Sequence, residues 1–256
     1  MIPKIIHYIW FGGKPLPKLA KKCIKSWKKY CPDYKIMRWD ENNFDINMFQ
    51  YTKEAYESKK WAFISDVVRL YVLVNYGGIY MDTDVEVIKP LDEFLRHKAF
   101  SGFEDSVHIP TGIMACEKGN PIFKELLGDY KGRAYILANG KTDTTTNVVT
   151  ITNLCLKLGL EQNDNFQIIN GFALYPHDWF CPKNCMTNQI ELTENSHTIH
   201  HFAGSWLDKK IIKRKKYYDF FVKIGARNPS KLAYVFTNKR KVFRFILNKI
   251  LNIFKK

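Results

Sequence analysis

The chain has 256 residues, of which 46% are hydrophobic and 15% aromatic, a composition that allows one sizeable core and excludes a disordered or low-complexity chain. Its net charge of +15 is typical of a nucleic-acid binder until it is located along the chain. Residues 207–256 carry 16 lysine and arginine residues against two aspartates, whereas residues 1–206 carry 24 against 23 acidic residues. The sequence therefore predicts a neutral body and a cationic tail.

The N-terminal residues and the cysteines bear on the compartment. The opening MIPKIIHYIWFGG lacks the order of charged region, apolar region and small-residue cleavage site that marks a secretory signal. No window approaches the ~18 uninterrupted apolar residues that a spanning helix requires. Six scattered cysteines suit a reducing environment. We therefore expect a cytoplasmic protein.

The first elements predict the opening of a βαβ unit. Residues 4–11 are β-branched and aromatic and end at a pair of glycines, which indicates a buried strand. Residues 19–30 repeat apolar side chains at helical spacing, and residues 34–39 favour a second strand after a Pro-Asp break. A strand, a helix and a strand in this order indicate an α/β fold.

The next segment carries the clearest pattern in the chain. Residues 62–76 predict a helix with a broad apolar face, and a second glycine pair ends it. A strand begins at once over residues 78–81 and leads into Asp82-Thr83-Asp84, after which residues 85–88 stay extended. Further short strands are predicted near residues 112–115, 166–169 and 198–202, separated by helices and loops.

Asp82 and Asp84 are the first candidates for chemistry. Residues i and i+2 of an extended backbone point to the same face, so both carboxylates can address one divalent ion. Such an ion can neutralise a diphosphate leaving group, although an Asp-x-Asp pair alone also fits a solvated turn. Upstream, Asp66 and Arg69 lie three apart on the predicted helix, where a carboxylate and a guanidinium suit sugar hydroxyls and phosphate. By itself that pair is more typical of a surface salt bridge.

The stretch SDVVRLYVLVNYGGIYMDTDVEVIKPL, residues 65–91, resembles the signature of the DXD sugar transferases of glycosyltransferase family 32. That family includes capsular-polysaccharide members, and its signature is similar to that of the glucosyltransferase domains of large clostridial toxins. The opening IPKIIHYIWFGG and the segment HHFAGSW at residues 200–206 extend the resemblance over most of residues 1–206. The resemblance implies a GT-A fold, with a Rossmann-like mixed sheet flanked by helices.

The resemblance also implies an activity and a domain organisation. We expect residues 1–206 to form a GT-A catalytic domain that retains the anomeric configuration as it moves a sugar from a nucleotide-sugar, expected to be UDP-linked. The acceptor would be a glycan or a lipid-linked oligosaccharide in bacterial surface polysaccharide synthesis. Residues 207–256 would form a basic helical tail.

Seven residues resemble the donor-binding residues of the family. Trp10 would stack on the donor base, and Asp66 and Arg69 would touch the donor sugar and diphosphate. Tyr80 and Asp82 would line the ribose and the sugar. Ser205 and Trp206 resemble the residues of a loop that closes over the diphosphate. The usual Thr-Gly-Pro run of the family is replaced by TTTNVVT at residues 144–150, so no donor contact is predicted there.

We expect the protein to bind Mn²⁺ or Mg²⁺, with Asp84 as the most direct ligand and Asp82 as a further one. One carboxylate does not close a metal shell, and neutral imidazole is an acceptable further donor. The segment His201-Phe202-Ala203-Gly204 resembles a His-x-x-Gly segment that supplies such a ligand in neighbouring families. His201 is therefore the predicted ligand, and His200 is the alternative. The predicted catalytic residues are Asp82, Asp84, Asp66 and Arg69.

Residues 239–256 predict a cationic amphipathic helix, with apolar side chains on one side and lysine, arginine and asparagine on the other. Such a helix is too short and too polar to cross a bilayer but suits its interface. We expect peripheral association with the inner face of the cell membrane. The alternative is that this helix packs on the rest of the protein or mediates dimerisation.

Two other functions fit parts of the sequence. A haloacid-dehalogenase-type phosphatase would use Asp82 as a nucleophile after a hydrophobic strand, but that motif normally follows the first strand and its later acidic motif is missing. A non-enzymatic nucleic-acid or membrane binder would use the charge alone. The neutral balance of residues 1–206 argues against it, and no nucleic-acid partner is expected.

Overall fold

The computed structural model describes residues 1–109, 112–185, 187–204 and 209–238. The chain divides into two units, Met1–Phe202 and a second that begins at Ala203. The predicted domain boundary between residues 206 and 207, the pair Ser205 and Trp206, and the predicted helix over residues 239–256 lie outside the described residues.

A seven-stranded mixed sheet forms the centre of the first unit, in the order β2-β1-β3-β6-β5-β8-β7. Strand β1 is parallel to β2 and β3, and β5 is parallel to β8, whereas β6 and β7 run antiparallel to their neighbours. The predicted α/β class with a mixed sheet flanked by helices is confirmed. The strands are β1 (Ile5–Ile9), β2 (Lys35–Trp39), β3 (Gly78–Met81), β4 (Val85–Val87), β5 (Ala99–Gly102), β6 (Ile113–Cys116), β7 (Gln167–Ile169), β8 (Phe172–Tyr175) and β9 (Thr198–His200).

Helices cover both faces of this sheet, because successive strand side chains point to opposite sides. In β3 the Tyr80 ring joins a hydrophobic cluster with Val67 and Leu70 of α3, whereas Ile79 joins one with Trp27 of α1. Two short 3₁₀ helices lie at Ile46–Met48 and Asp92–Arg96. The α-helices of the first unit are α1 (Lys18–Tyr30), α2 (Gln50–Glu57), α3 (Trp61–Tyr76), α4 (Pro121–Gly128), α5 (Asn147–Lys157) and α6 (His177–Phe180).

The junction between α3 and β3 fixes where the acidic segment emerges. Gly77 and Gly78 have φ of +69° and +103°, a region that side chains disfavour. A Cβ on Gly78 would lie 2.6 Å from the Ile5 carbonyl oxygen, so only glycine lets β3 pair this closely with β1. Because this two-glycine turn connects α3 directly to β3, the position of Asp82 at the end of β3 is fixed.

A second, two-stranded sheet brings a distant segment to the same place. Strand β4 pairs antiparallel with β9, and Val85 lies opposite His200. The His201 amide donates to the Asp84 carbonyl at 3.0 Å just beyond this pairing. The strand predicted over residues 198–202 is present but ends at His200. Two adjacent histidines therefore reach the Asp82–Asp84 turn.

The described residues of the second unit include two helices. Helices α7 (Lys209–Lys223) and α8 (Pro229–Thr237) pack through aromatic rings. The ring of Phe236 lies 5.2 Å from that of Phe221 and 5.8 Å from that of Tyr217 between centroids. Across the described parts of the chain, no helix combines the length and the apolar character that crossing a membrane requires.

Candidate metal and donor site

The candidate site lies where parallel strands end. Strands β1, β2 and β3 run in one direction, so their carboxyl ends share one edge of the sheet. Trp10 follows β1, Asp40 follows β2 and Asp82 follows β3. Open α/β sheets bind ligands at such an edge, because the loops that leave it are free to carry polar side chains.

Asp82, Asp84 and His200 form a group that could hold a metal ion. One ligand atom from each lies within 4.8 Å of the others. The His200 Nε2 atom is 3.5 Å from Asp84 Oδ1 and 4.0 Å from Asp82 Oδ2. Ligands at about 2.1 Å from one ion are separated by roughly 3 to 4 Å, so these donors fit a single cation. Two carboxylates and an imidazole suit Mn²⁺, and Mg²⁺ is compatible with the oxygens.

The predicted ligand His201 does not join this group, and the alternative His200 takes its place. The His201 Nε2 atom lies 2.8 Å from Glu86 Oε2, an oxygen that also accepts from Lys22 Nζ at 2.8 Å. The physical reason is the pairing of β9 with β4. It sets His200 opposite Val85, next to Asp84, and sends the following side chain toward Glu86 instead.

Arg69 joins helix α3 to the acidic turn. Its Nη2 lies 3.4 Å from both Asp66 Oδ1 and Asp82 Oδ1, and its Nε donates to the Ser65 carbonyl at 3.1 Å. Its guanidinium carbon lies 4.6 Å from the centre of the Tyr80 ring. With 6% of its surface exposed, Arg69 is a buried cation rather than part of a surface salt bridge.

Burial changes the protonation equilibria of this group. It raises the pKa of Asp66 to about 6, although Arg69 opposes the shift. Burial likewise raises the pKa of Asp82 against the effect of Arg69. Burial disfavours the charged form of Arg69, but Tyr80, Asp82 and Asp66 outweigh this and raise its pKa. The Tyr80 hydroxyl donates to Asp82 Oδ1, which holds that carboxylate in a fixed orientation.

Trp10 lies at the same sheet edge, and its ring is half-buried. The indole Nε1 donates to the Lys14 carbonyl at 2.6 Å, so the side chain closes a short loop after β1. No described contact joins Trp10 to the group around Arg69. Its predicted role in stacking on a donor base stays a prediction, as do the roles of Ser205 and Trp206.

Sequence reasoning missed two side chains near the group. The Asn147 Nδ2 atom donates to the Asp66 carbonyl at 2.7 Å, and its Oδ1 accepts from the Tyr130 hydroxyl at 2.9 Å. Asn147 belongs to the TTTNVVT run, whose departure from the family pattern was the available signal. Glu104 follows β5, and burial raises its pKa, with His200 opposing the shift. No spacing in the sequence links Glu104 to the aspartates.

Comparisons with known proteins match the segment that contains Asp82 and Asp84. Residues 17–101 match the glycosyltransferase sugar-binding region containing the DXD motif. The chain is 31% identical to "Inositol phosphoceramide mannosyltransferase 3" of Schizosaccharomyces pombe over 134 residues, 49% of this chain and 36% of that protein. It is 27% identical to "Uncharacterized glycosyltransferase L373" of Acanthamoeba polyphaga mimivirus, over 87% of this chain and 92% of that one.

The chain is also 27% identical to "Mannosyl phosphorylinositol ceramide synthase SUR1" of Saccharomyces cerevisiae, over 51% of this chain. Each of the two yeast relatives is longer than the region it shares with this chain, which spans about a third of its length. Among solved structures, a glycosyltransferase involved in the glycosylation of the major capsid of PBCV-1 superposes with a TM-score of 0.45 at 13% identity, covering 80% of this chain and 95% of that one. That likeness is too distant to carry an argument. The chain thus contains a DXD sugar-binding region of the glycosyltransferase type, and both aspartates of the metal group lie within it.

Proposed function

We propose that the protein is a metal-dependent glycosyltransferase that uses a nucleotide-sugar donor. The observation that carries this proposal is the meeting of Asp82, Asp84 and His200 beside the buried Arg69. Both aspartates and Arg69 lie inside the DXD region. A divalent ion held by the first three residues would neutralise the negative charge of the donor diphosphate. The proposal thus assigns a chemical role to individual side chains of the matched region.

Protein side chains beside the ion would orient the sugar and the diphosphate of the donor. Arg69 is always protonated and offers several donors toward sugar or phosphate oxygens. Asp66 and Asp82 accept hydrogen bonds from sugar hydroxyls, and Tyr80 keeps Asp82 in place. Asn147 fixes the backbone at Asp66 from the other side. We propose that Trp10 stacks on the donor base and that Ser205 and Trp206 contact the diphosphate. We also propose that the chain belongs to glycosyltransferase family 32.

The transfer we propose retains the anomeric configuration by a front-face route. The bond between the anomeric carbon and the diphosphate oxygen breaks, and the bond from the acceptor oxygen forms on the same face. The acceptor hydroxyl proton moves to the departing phosphate oxygen, so no protein nucleophile is required. In the phosphatase alternative Asp82 would attack phosphorus, but its Oδ1 atom already accepts from Tyr80 and lies 3.4 Å from Arg69, which suits binding better than attack.

The donor and acceptor are narrower proposals. We propose a UDP-linked sugar, and a glycan or lipid-linked oligosaccharide acceptor of bacterial surface polysaccharide synthesis at the inner membrane face. The names of the yeast relatives point to mannose and an inositol phosphoceramide acceptor in those proteins. The second candidate reaction is therefore transfer of mannose to a lipid that bears a phosphate group. In both candidate reactions the acceptor lies at a membrane surface.

The donor is tested by the thermal stability of the full chain with Mn²⁺ and one nucleotide at a time. A ligand that binds only the folded state raises the melting temperature, and at equal concentration the tighter ligand raises it more. UDP should give a larger shift than GDP, and EDTA should abolish both shifts. A larger shift with GDP would reverse the donor assignment and favour the second candidate. If neither nucleotide shifts the melting temperature with Mn²⁺ present, the nucleotide-sugar proposal is wrong.

A further inference from the structure

The imidazole of His200 lies against the backbone of Gly112. A Cβ on Gly112 would be 2.9 Å from His200 Nδ1, 3.1 Å from Cε1 and 3.3 Å from Cγ, which is closer than side chains tolerate. Gly112 does not have a positive φ, so its backbone conformation would accept alanine. The same residue accepts a hydrogen bond from the Asp82 amide at 2.8 Å. The glycine is therefore required by the closeness of the histidine ring.

A second contact to this ring comes from the side chain of a strained residue, Phe202. Phe202 has a φ of +52°, which is uncommon for a bulky side chain. Its ring centroid lies 4.2 Å from that of His200, with 33° between the planes. Strained backbone of this kind persists only where the surrounding structure enforces it, and it is concentrated at functional sites.

A metal-binding histidine usually donates a hydrogen bond from its second ring nitrogen, and that bond fixes the ring orientation. In the described part of the chain, the buried His200 Nδ1 atom has no such partner. The Cys181 thiol interacts with the imidazole as a side-chain hydrogen-bond partner, but a thiol is a weak one. Packing must therefore contribute to holding the ring with its Nε2 toward Asp84.

We propose that Gly112 and Phe202 form a seat, defined by these two residues, that orients the His200 imidazole as a metal ligand by packing against it. Both are positioning residues, because neither offers a side-chain ligand atom. Gly112 also ties the seat to Asp82 through its carbonyl, so that one backbone segment sets the separation of two ligands. The proposal rests on the metal site of the proposed function.

The test measures the affinity of the full chain for Mn²⁺ alone, from the electron paramagnetic resonance signal of the free ion, with melting temperatures in EDTA. Gly112→Ala and Phe202→Asn should each weaken Mn²⁺ binding by about tenfold, as loss of outer contacts to a ligand does. Asparagine tolerates the left-handed backbone but lacks the ring. Phe202→Asn should therefore keep the melting temperature in EDTA at or above that of the wild type.

His200→Gln is the reference, and Gly128→Ala is the matched control, since Gly128 has no atom within 4 Å of its added Cβ and no positive φ. In the His200→Gln background the two seat variants should cause no further loss, because the ring they position is gone. The control should bind Mn²⁺ as the wild type does.

Three results would overturn the seat. Wild-type Mn²⁺ affinity in both seat variants, while His200→Gln loses binding, rejects the seat and leaves the metal site intact. Equal losses with and without His200 show that these residues act through another group. If His200→Gln itself binds Mn²⁺ normally, the histidine is not a ligand, and both the seat and that part of the proposed function are wrong.

Discussion

At the scale of single residues, the site brings one cation together with three carboxylates and one imidazole. Arg69 is buried between Asp66 and Asp82 and against the Tyr80 ring. A buried charge needs charged partners and hydrogen bonds to offset its desolvation. Each member of the group is therefore held by the others, and removal of one should affect both stability and binding.

Arg69→Lys should impair the protein although it preserves the charge. An ammonium cannot reach Asp66 and Asp82 together while it covers the Tyr80 ring. We expect a fall of roughly 1 to 3 kcal/mol in the free energy of unfolding and about a hundredfold fall in kcat/KM for nucleotide-sugar hydrolysis. Urea titration and kinetics measure the two effects. Arg38→Lys, at an exposed arginine that pairs with Asp40, is the control and should change neither. Wild-type kinetics in Arg69→Lys would show that the Arg69 guanidinium stabilises the fold but does not contribute to the reaction.

The two adjacent histidines provide a matched pair of substitutions. His200→Gln should weaken Mn²⁺ binding by tenfold or more, about 1.4 kcal/mol, because a ligand is lost. His201→Gln should have little effect on the metal, since that side chain pairs with Glu86. Titration of each variant with Mn²⁺ measures the difference. A larger loss in His201→Gln would restore the ligand that the sequence predicted.

The residues of this site differ in how far the sequence could predict them. Asp82, Asp84, Asp66 and Arg69 lie on local elements whose spacing fixes their faces, so their meeting follows from a helix that leads directly into a strand. Whether His200 or His201 meets the aspartates depends on how β9 pairs with β4, a contact between segments more than a hundred residues apart. Asn147 and Glu104 are likewise brought in by tertiary packing, for which the sequence contains no spacing signal.

At the scale of elements, the opening βαβ unit and the glycine junction carry the site. The predicted strands and helices up to residue 88 agree with β1, α1, β2, α3, β3 and β4 within a residue or two at their ends. Beyond residue 100 the strands are three or four residues long, and buried runs of that length do not show a clear period. The central strands β5 and β8 were not predicted for that reason.

His7 links three of these elements from the middle of β1. Its Nδ1 accepts from Trp39 Nε1 at 3.0 Å, so Nε2 carries the proton and donates to the Gly77 carbonyl at 2.8 Å. The neutral ring thus joins β1 to the end of β2 and to the start of the α3–β3 turn. Burial lowers the pKa of His7 to about 4.

This depressed pKa predicts acid sensitivity. Between pH 4 and pH 6.5 the unfolded chain protonates His7 and the folded protein does not. The free energy of unfolding therefore falls as the pH decreases through this range, by about 3 kcal/mol at most from this residue. His7→Gln, which can keep one donor and one acceptor, should lose less stability than the wild type when urea titrations at pH 7.5 and pH 5 are compared. Equal losses in both proteins would show that His7 does not titrate as expected.

At the scale of the whole molecule, a neutral first unit is joined to a strongly basic second one. Helix α7 and the residue that follows it expose apolar side chains, with Phe220 at 54%, Val222 at 49% and Ile224 at 58%. Exposed apolar side chains among lysines and arginines are the combination that binds anionic membrane surfaces. These side chains support the proposed peripheral association, together with the basic residues that follow them in the sequence.

Flotation with anionic liposomes tests this association. The full chain should float, and a chain that ends at Asn238 should float less. The double substitution Phe220→Glu and Ile224→Glu should weaken binding further, since each apolar side chain that enters the membrane contributes about 1 to 3 kcal/mol. Ile168→Glu, at a side chain 57% exposed on β7 of the first unit, is the control. If the full chain stays in the bottom fraction, or the truncated chain floats equally well, the membrane proposal for residues 239–256 is wrong.

The central claim is that Asp82 and Asp84 hold a metal ion for transfer from a nucleotide-sugar. The most direct measurement is the release of nucleoside diphosphate from a panel of UDP- and GDP-sugars, with Mn²⁺ and with EDTA. We predict slow hydrolysis of one donor that requires Mn²⁺, stops with EDTA and is abolished in Asp84→Ala, because that variant loses both a ligand and the charge that holds the ion. Asp33→Ala, at an exposed carboxylate, should retain it. Hydrolysis that survives EDTA, or that Asp84→Ala sustains at the wild-type rate in low Mn²⁺, would contradict the claim.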